Sequence, residues 1–160
     1  MQDYKREEYK VFELFDKKWA LVTAGNSRST VTVYVHPARY TSEVLKESDI
    51  FTVSFYPETS RKALGYLGSH SGRNENKIET VGFTPVKMGQ GVTFGEAELT
   101  FLCKKLYQHQ FSREDLAPEI QAYYAAKPEV YPDFKGGWQP HYVFVGEIID
   151  VRKKEENHVE

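Results

Sequence analysis

The chain has 160 residues, 40% hydrophobic and 28% charged, with a formal net charge of −2. That size and balance describe one globular domain, and the charge offers no basic excess for nucleic acid or an anionic membrane. Its one cysteine, Cys103, excludes an intrachain disulfide, and no apolar run nears the roughly 18 residues of a membrane span.

The stretch from Met1 to Lys10 is charged rather than signal-like. It reads as a loosely ordered lead, and cytoplasmic residence is the expectation. The domain proper is placed at residues 11–151, with a charged tail at 152–160. After a lead-in at Glu13 to Asp16, Trp19 to Ala24 is an apolar strand ending at the turn signal Gly25-Asn26. Thr30 to Val35 alternates strictly. Val31, Val33 and Val35 share one face and Thr30, Thr32 and Tyr34 the other, and His36-Pro37 stops the strand.

Thr41 is placed as the N-cap of a short helix over Ser42 to Glu47, with Val44 and Leu45 inward. Ile50 to Phe55 is a third strand, ended by Tyr56-Pro57. A helix then runs to Leu67, with Gly68 as its left-handed cap. Lys77 to Val81 gives another helical turn, and Gly82 to Gly91 reads as a loop. Glu96 to Leu106 is a long strand with Ala97, Leu99, Phe101 and Cys103 on one face. Pro118 opens a helix through Ala126. Lys127 to Pro140, with Tyr131, Phe134 and Trp138, is a long aromatic loop of the kind that forms lids or interface arms. Tyr142 to Val151, interrupted by Gly146, is the last strand. Strands joined by helices too short for regular βαβ units predict a mainly β fold, a closed or split barrel.

The most informative stretch runs from Gly68 to Lys77. Two glycines free the backbone, Ser69 and Ser71 supply hydroxyls, and Arg73 and Lys77 add a guanidinium and an ammonium. The set suits a phosphate. It equally suits a polar loop closing a helix, and it lacks the spacing of a Walker A loop or a dinucleotide fingerprint. His36, His70, His109, His141 and His158 do not fall into ligand spacing, so no metal site is expected. Cys103, on an apolar strand face, reads as an inert thiol rather than a nucleophile. Glu96 and Glu98 resemble a glycosidase pair only superficially.

Four stretches in order resemble the flavin reductase-like family, FMN-binding split β-barrels. They are Thr32 to Thr41, with its Arg39-Tyr40-Thr41 corner; Phe51 to Phe55; Arg61 to Arg73; and His141 through Gly146 to Ile148. The resemblance implies a six-stranded antiparallel Greek-key split barrel with short peripheral helices, usually a homodimer with FMN near the subunit interface. It assigns Arg39 and Thr41 to the phosphate or ribityl chain, and Ser69, Ser71, Gly72, Arg73 and Lys77 to the phosphate side. Ser54, Phe55 and Tyr56 would lie along the isoalloxazine ring, and His141 would face the pocket. Each assignment has a plainer alternative. Arg39 also reads as a surface partner for a carboxylate, Lys77 as solvated, Ser54 as a bond within the barrel, Phe55 and Tyr56 as core, and His141 as a strand cap.

In one place the chain departs from the family. The resemblance implies a further strand and loop after the first strand, yet only Asn26, Ser27, Arg28 and Ser29 separate Gly25 from Thr30. A barrel short of a strand leaves unpaired edges, so the expectation is a break with residues missing there, a true deletion being the alternative. The leading functional expectation is an FMN-dependent flavin reductase passing hydride from NADH or NADPH to the flavin, with no residue required as acid or base. The rivals are an FMN electron carrier reduced by a redox protein partner and a split-barrel module that has lost flavin binding.

Overall fold

The computed structural model describes residues 22–24, 28–127 and 137–154. The expected lead over 1–10, the lead-in at Glu13 to Asp16, Tyr131 and Phe134 of the aromatic loop, and the end of the tail lie outside these residues. The described elements are β1 (Val22–Ala24), β2 (Arg28–Val35), α1 (Tyr40–Glu47), β3 (Ile50–Phe55), a 3-10 turn (Glu58–Ser60), α2 (Arg61–Ser69), α3 (Lys77–Val81), β4 (Pro85–Met88), β5 (Gly91–Phe94), β6 (Leu99–Gln110), α4 (Pro118–Ala125) and β7 (Tyr142–Lys153).

The fold is mainly β and antiparallel, as expected. The expected six-stranded Greek-key split barrel is not reproduced in its strand count. Among the described residues a five-stranded sheet runs in the order β1-β2-β7-β6-β3 and is open, while β4 and β5 form a separate hairpin. That hairpin occupies the stretch read as a loop. It escapes a periodicity reading because its strands are four residues each and begin at a proline and a glycine. Pro85 is tolerated as a first strand residue, and Gly89 turns the chain at φ 55°.

β1 folds back on β2 in the register Val22↔Thr30, Thr23↔Ser29, Ala24↔Arg28. Residues 25–27, which follow β1 in the sequence, lie outside the described residues, and with them the expected break between Gly25 and Thr30. Pairing with β1 covers the edge of β2 that a lost strand would have left open.

The alternation of β2 holds. Val31, Leu45, Phe51, Cys103 and Phe144 form the buried core, with Val33 and Val35 packed against it. β6 is buried on both faces near its start: Phe101 packs against this core, while Thr100 and Leu102 are buried toward the β4–β5 hairpin. There Ser54, Thr93 and Thr100 join their hydroxyls in a triangle of 3.0, 3.1 and 2.7 Å. The Thr52 hydroxyl donates to the Val92 carbonyl at 2.8 Å. Buried hydroxyls need such partners, so the triangle docks the hairpin on the sheet.

Several boundaries move. α1 begins at Tyr40 after Arg39, without a side-chain cap bond, so Thr41 is a first-turn residue rather than the N-cap. The 42nd residue anchors the corner instead, the Ser42 hydroxyl donating to the Pro37 carbonyl at 2.9 Å. α2 runs past Gly68 to Ser69 and ends at His70 in extended backbone. Glu96 and Glu98 precede β6 rather than sharing a face of it. β6 continues to Gln110 and β7 to Lys153.

Candidate functional site

The turn after β2 is closed by two hydrogen bonds to His36. The Ala38 N–H donates to His36 Nδ1 at 3.1 Å, and the Arg39 N–H donates to the His36 carbonyl at 3.0 Å. This turn aims the Ala38 carbonyl and the Arg39 side chain at the end of α2. From the far side of the loop, Lys77 Nζ reaches back to the carbonyls of Leu67 at 2.6 Å and His70 at 3.1 Å. Arg39 Nη1 donates to the Gly68 carbonyl at 3.3 Å. Arg73 donates from Nη1 to the Ala38 carbonyl at 3.0 Å and from Nη2 to Glu43 Oε1 at 2.6 Å. Its guanidinium lies 5.5 Å from the centre of the Tyr40 ring.

Two sequence-distant segments, 38–43 and 67–77, therefore meet. Arg39, Ser69, Ser71, Gly72, Arg73 and Lys77 surround one loop, with Thr41 exposed on the first turn of α1 beside them. Gly72 fits the crowding, since a Cβ there would come within 3.3 Å of Tyr40 Cδ1. The hydroxyls are engaged locally. Ser69 Oγ donates toward the Gly65 carbonyl at 2.9 Å, and Ser71 Oγ accepts from the Arg73 N–H at 3.3 Å. Sequence reasoning missed Glu43, because nothing local pairs it with an arginine thirty positions on.

Ser54, Phe55 and Tyr56 form a second group. Ser54 belongs to the hydroxyl triangle, Phe55 meets Phe101 edge-on at 5.4 Å, and Tyr56 stacks on Phe83 at 5.3 Å. Burial, above all, raises the Tyr56 hydroxyl above its ordinary pKa; its bond with Ser54 opposes this and Glu96 adds to it.

His141 stands elsewhere. It lines a recess of about 280 Å³ with Tyr34, Phe111, Leu116, Tyr124 and Pro140. Ser54 is registered with Thr100 and Tyr142 with Gln110, which places roughly 33 Å of strand between the two groups at about 3.3 Å per residue. Tyr34 and Phe111 stack at 5.9 Å. Strand pairing of β2, β6 and β7 brings Tyr34, Phe111 and His141 together, Leu116 and Tyr124 come from the segment that leads into and forms α4, and no local motif announces the set.

His36 and His141 meet edge-on with ring centres 5.2 Å apart, and His36 Nε2 is buried without a hydrogen-bond partner among the described residues. Burial first, then His141 and Arg39, hold His36 below its ordinary pKa. Burial does the same for His141. The folded state thus binds fewer protons than the unfolded one. The stability this contributes is complete above the unfolded value of 6.5 and is lost as pH falls through the lower folded values. Melting temperature is expected to drop from about pH 7 to about pH 5. His36→Asn, whose amide oxygen can accept the Ala38 N–H, should flatten that slope. An unchanged slope in the variant would remove His36 from the explanation.

Burial pushes the Cys103 thiol up to about 11, so it stays protonated at neutral pH. Both Glu96 oxygens face the Thr84 N–H, at 3.1 and 3.0 Å. Among the described residues no three His, Cys, Asp or Glu side chains converge on a metal position, and no helix is long and apolar enough to cross a membrane.

The chain is similar in fold to several solved structures. An FMN-binding protein from Thermus thermophilus is 21% identical with a TM-score of 0.60, over 84% of this chain and 59% of that one. A flavoredoxin from Methanosarcina acetivorans is 22% identical with a TM-score of 0.61, over 89% and 61%. A protein with a split barrel domain from Shewanella frigidimarina is 15% identical with a TM-score of 0.61, over 88% and 59%. The chain thus spans about three fifths of the length of these structures. No curated protein matches it. The model of the flavin reductase like domain matches residues 20–160, and the chain belongs to that family.

Proposed function

We propose that this chain is an FMN-binding oxidoreductase that takes hydride from NADH or NADPH, with the flavin phosphate held by the cluster around the Gly68 to Lys77 loop. The observation that carries this reading is the meeting of Arg39, Arg73, Lys77 and two serine hydroxyls from separate segments on one loop. The donor set fits a phosphate dianion, which takes charge-assisted hydrogen bonds from guanidinium, ammonium and hydroxyl groups. These cations hold backbone carbonyls and a carboxylate, contacts that a stronger anion can displace.

When bound, the flavin supplies the electron transfer; the chain's residues bind, orient and shield it. The Arg39 corner and the His141 recess lie at the same end of the sheet, linked through His36. That supports placing the ring beside His141, with Tyr34, Phe111 and Tyr124 as its apolar wall. Ser54, Phe55 and Tyr56 stand at the other end of β6. A homodimer, which we also propose, would let both sets contribute to one interface. Cytoplasmic residence belongs to the same reading.

The likeness to a flavoredoxin supports a second reading, an electron carrier reduced by a protein. The short stretch of sequence between Gly25 and Thr30 supports a third, a module without flavin. The spectrum of the purified protein with added FMN separates them. Reductase activity gives a bound flavin that bleaches anaerobically with NADH or NADPH. Bound flavin that bleaches only with a protein donor establishes the carrier. Absence of flavin absorbance after gel filtration, with no thermal stabilisation by FMN, establishes the module and ends the FMN reading.

A further inference from the structure

We infer that Glu43 is an internal occupant of the anion site, a carboxylate that must leave the Arg73 guanidinium before a ligand phosphate can enter, so that it sets the affinity of the site for phosphate-bearing ligands. The inference rests on the phosphate reading of the loop. Glu43 Oε1 lies 2.6 Å from Arg73 Nη2, the shortest contact that guanidinium makes. The pair is open to solvent, with side-chain exposures of 45% for Glu43 and 34% for Arg73, so water can take over the released carboxylate.

Arg73 does not depend on Glu43 for its position. The Ala38 carbonyl holds Nη1 at 3.0 Å, the Tyr40 ring lies beside the guanidinium, and Ser71 Oγ accepts from the Arg73 N–H at 3.3 Å. Removing the carboxylate therefore leaves a poised guanidinium with a free donor face, which suits a phosphate oxygen. A carboxylate left in place also repels an incoming dianion. Glu43 thus favours an exchangeable phosphate ligand over a permanently bound one.

The test compares the full chain with Glu43→Gln and Glu43→Ala in FMN and riboflavin titrations followed by flavin fluorescence. Riboflavin carries the same ring without the phosphate. Both variants are expected to bind FMN about threefold to fivefold more tightly, the scale of an exposed ion pair, with riboflavin affinity unchanged. Equal FMN affinities, or an equal gain for riboflavin, overturn the inference while the FMN reading stands. If no form binds either flavin, the FMN reading falls, and inorganic phosphate becomes the probe. A larger phosphate-induced rise in melting temperature for the variants than for the parent then supports the Glu43 role, and equal rises overturn it.

Discussion

Gly146→Ala is expected to destabilise the protein by about 3 kcal/mol, the upper range for forcing extra volume into a packed core. Gly146 lies on β7 opposite Val31 on one side and Lys105 on the other. A Cβ at this position would come within 2.5 Å of Phe51 Cζ, 2.6 Å of Phe51 Cε1 and 2.9 Å of Cys103 Cβ. Phe51 is 8% exposed and Cys103 fully buried, so neither can swing into solvent. Gly91 makes a useful contrast. Its added Cβ would come under 3.0 Å of one atom only, the terminal Cδ1 of Leu102 at 2.6 Å, with no ring and no Cβ that close. The expected fall in melting temperature for Gly146→Ala is roughly 6–12 °C for a domain of this size. Phe51→Leu in the same chain should recover part of it, since the two positions contend for one volume. A variant melting within about 2 °C of the parent would show that the core yields there more readily than close packing allows.

This glycine shows how far the sequence reads on its own. As an interruption in an apolar strand it is visible, but the ring that fills its space comes from Phe51 and cannot be inferred from neighbours in sequence. The same division runs through the fold. Val31, Val33 and Val35 declare their face by alternation, because a half-buried strand repeats every two residues. β4 and β5 carry too few residues for a period to emerge, and their docking rests on hydroxyls of Ser54, Thr93 and Thr100 that come from three strands. In the site, the loop composition from Gly68 to Lys77 signals an anion and the structure does gather its cations with Arg39. What composition leaves out is that each cation already has a partner. Glu43, Ala38 and the carbonyls of Leu67, Gly68 and His70 enter only through tertiary contact.

Those partners also rank the cations. Lys77 Nζ, half-buried, makes two bonds to carbonyls at the end of α2, one of them at 2.6 Å. Arg39 makes one longer bond, 3.3 Å, from an exposed position. The first arrangement is a strut that closes the loop, and the second is a cation held lightly and ready to turn to a ligand. Lys77→Met should therefore lower stability by about 1–3 kcal/mol, since it leaves two carbonyls without their charged donor. It should weaken riboflavin as the loop loosens and FMN further, since the ammonium also belongs to the phosphate donor set.

Arg39→Ala should leave stability within about 0.5 kcal/mol of the parent, as expected for an exposed side chain. Its effect should fall on FMN alone, whose affinity drops about 10-fold to 100-fold, the range for a hydrogen bond to a charged group. Riboflavin, lacking the phosphate, should bind as before. Thermal melts and parallel flavin titrations of the two variants separate strut from ligand cation. Equal losses of FMN and riboflavin in Arg39→Ala would take Arg39 out of the phosphate site. An unaltered melting temperature in Lys77→Met would take away its part as the strut and leave it, too, free to meet the phosphate.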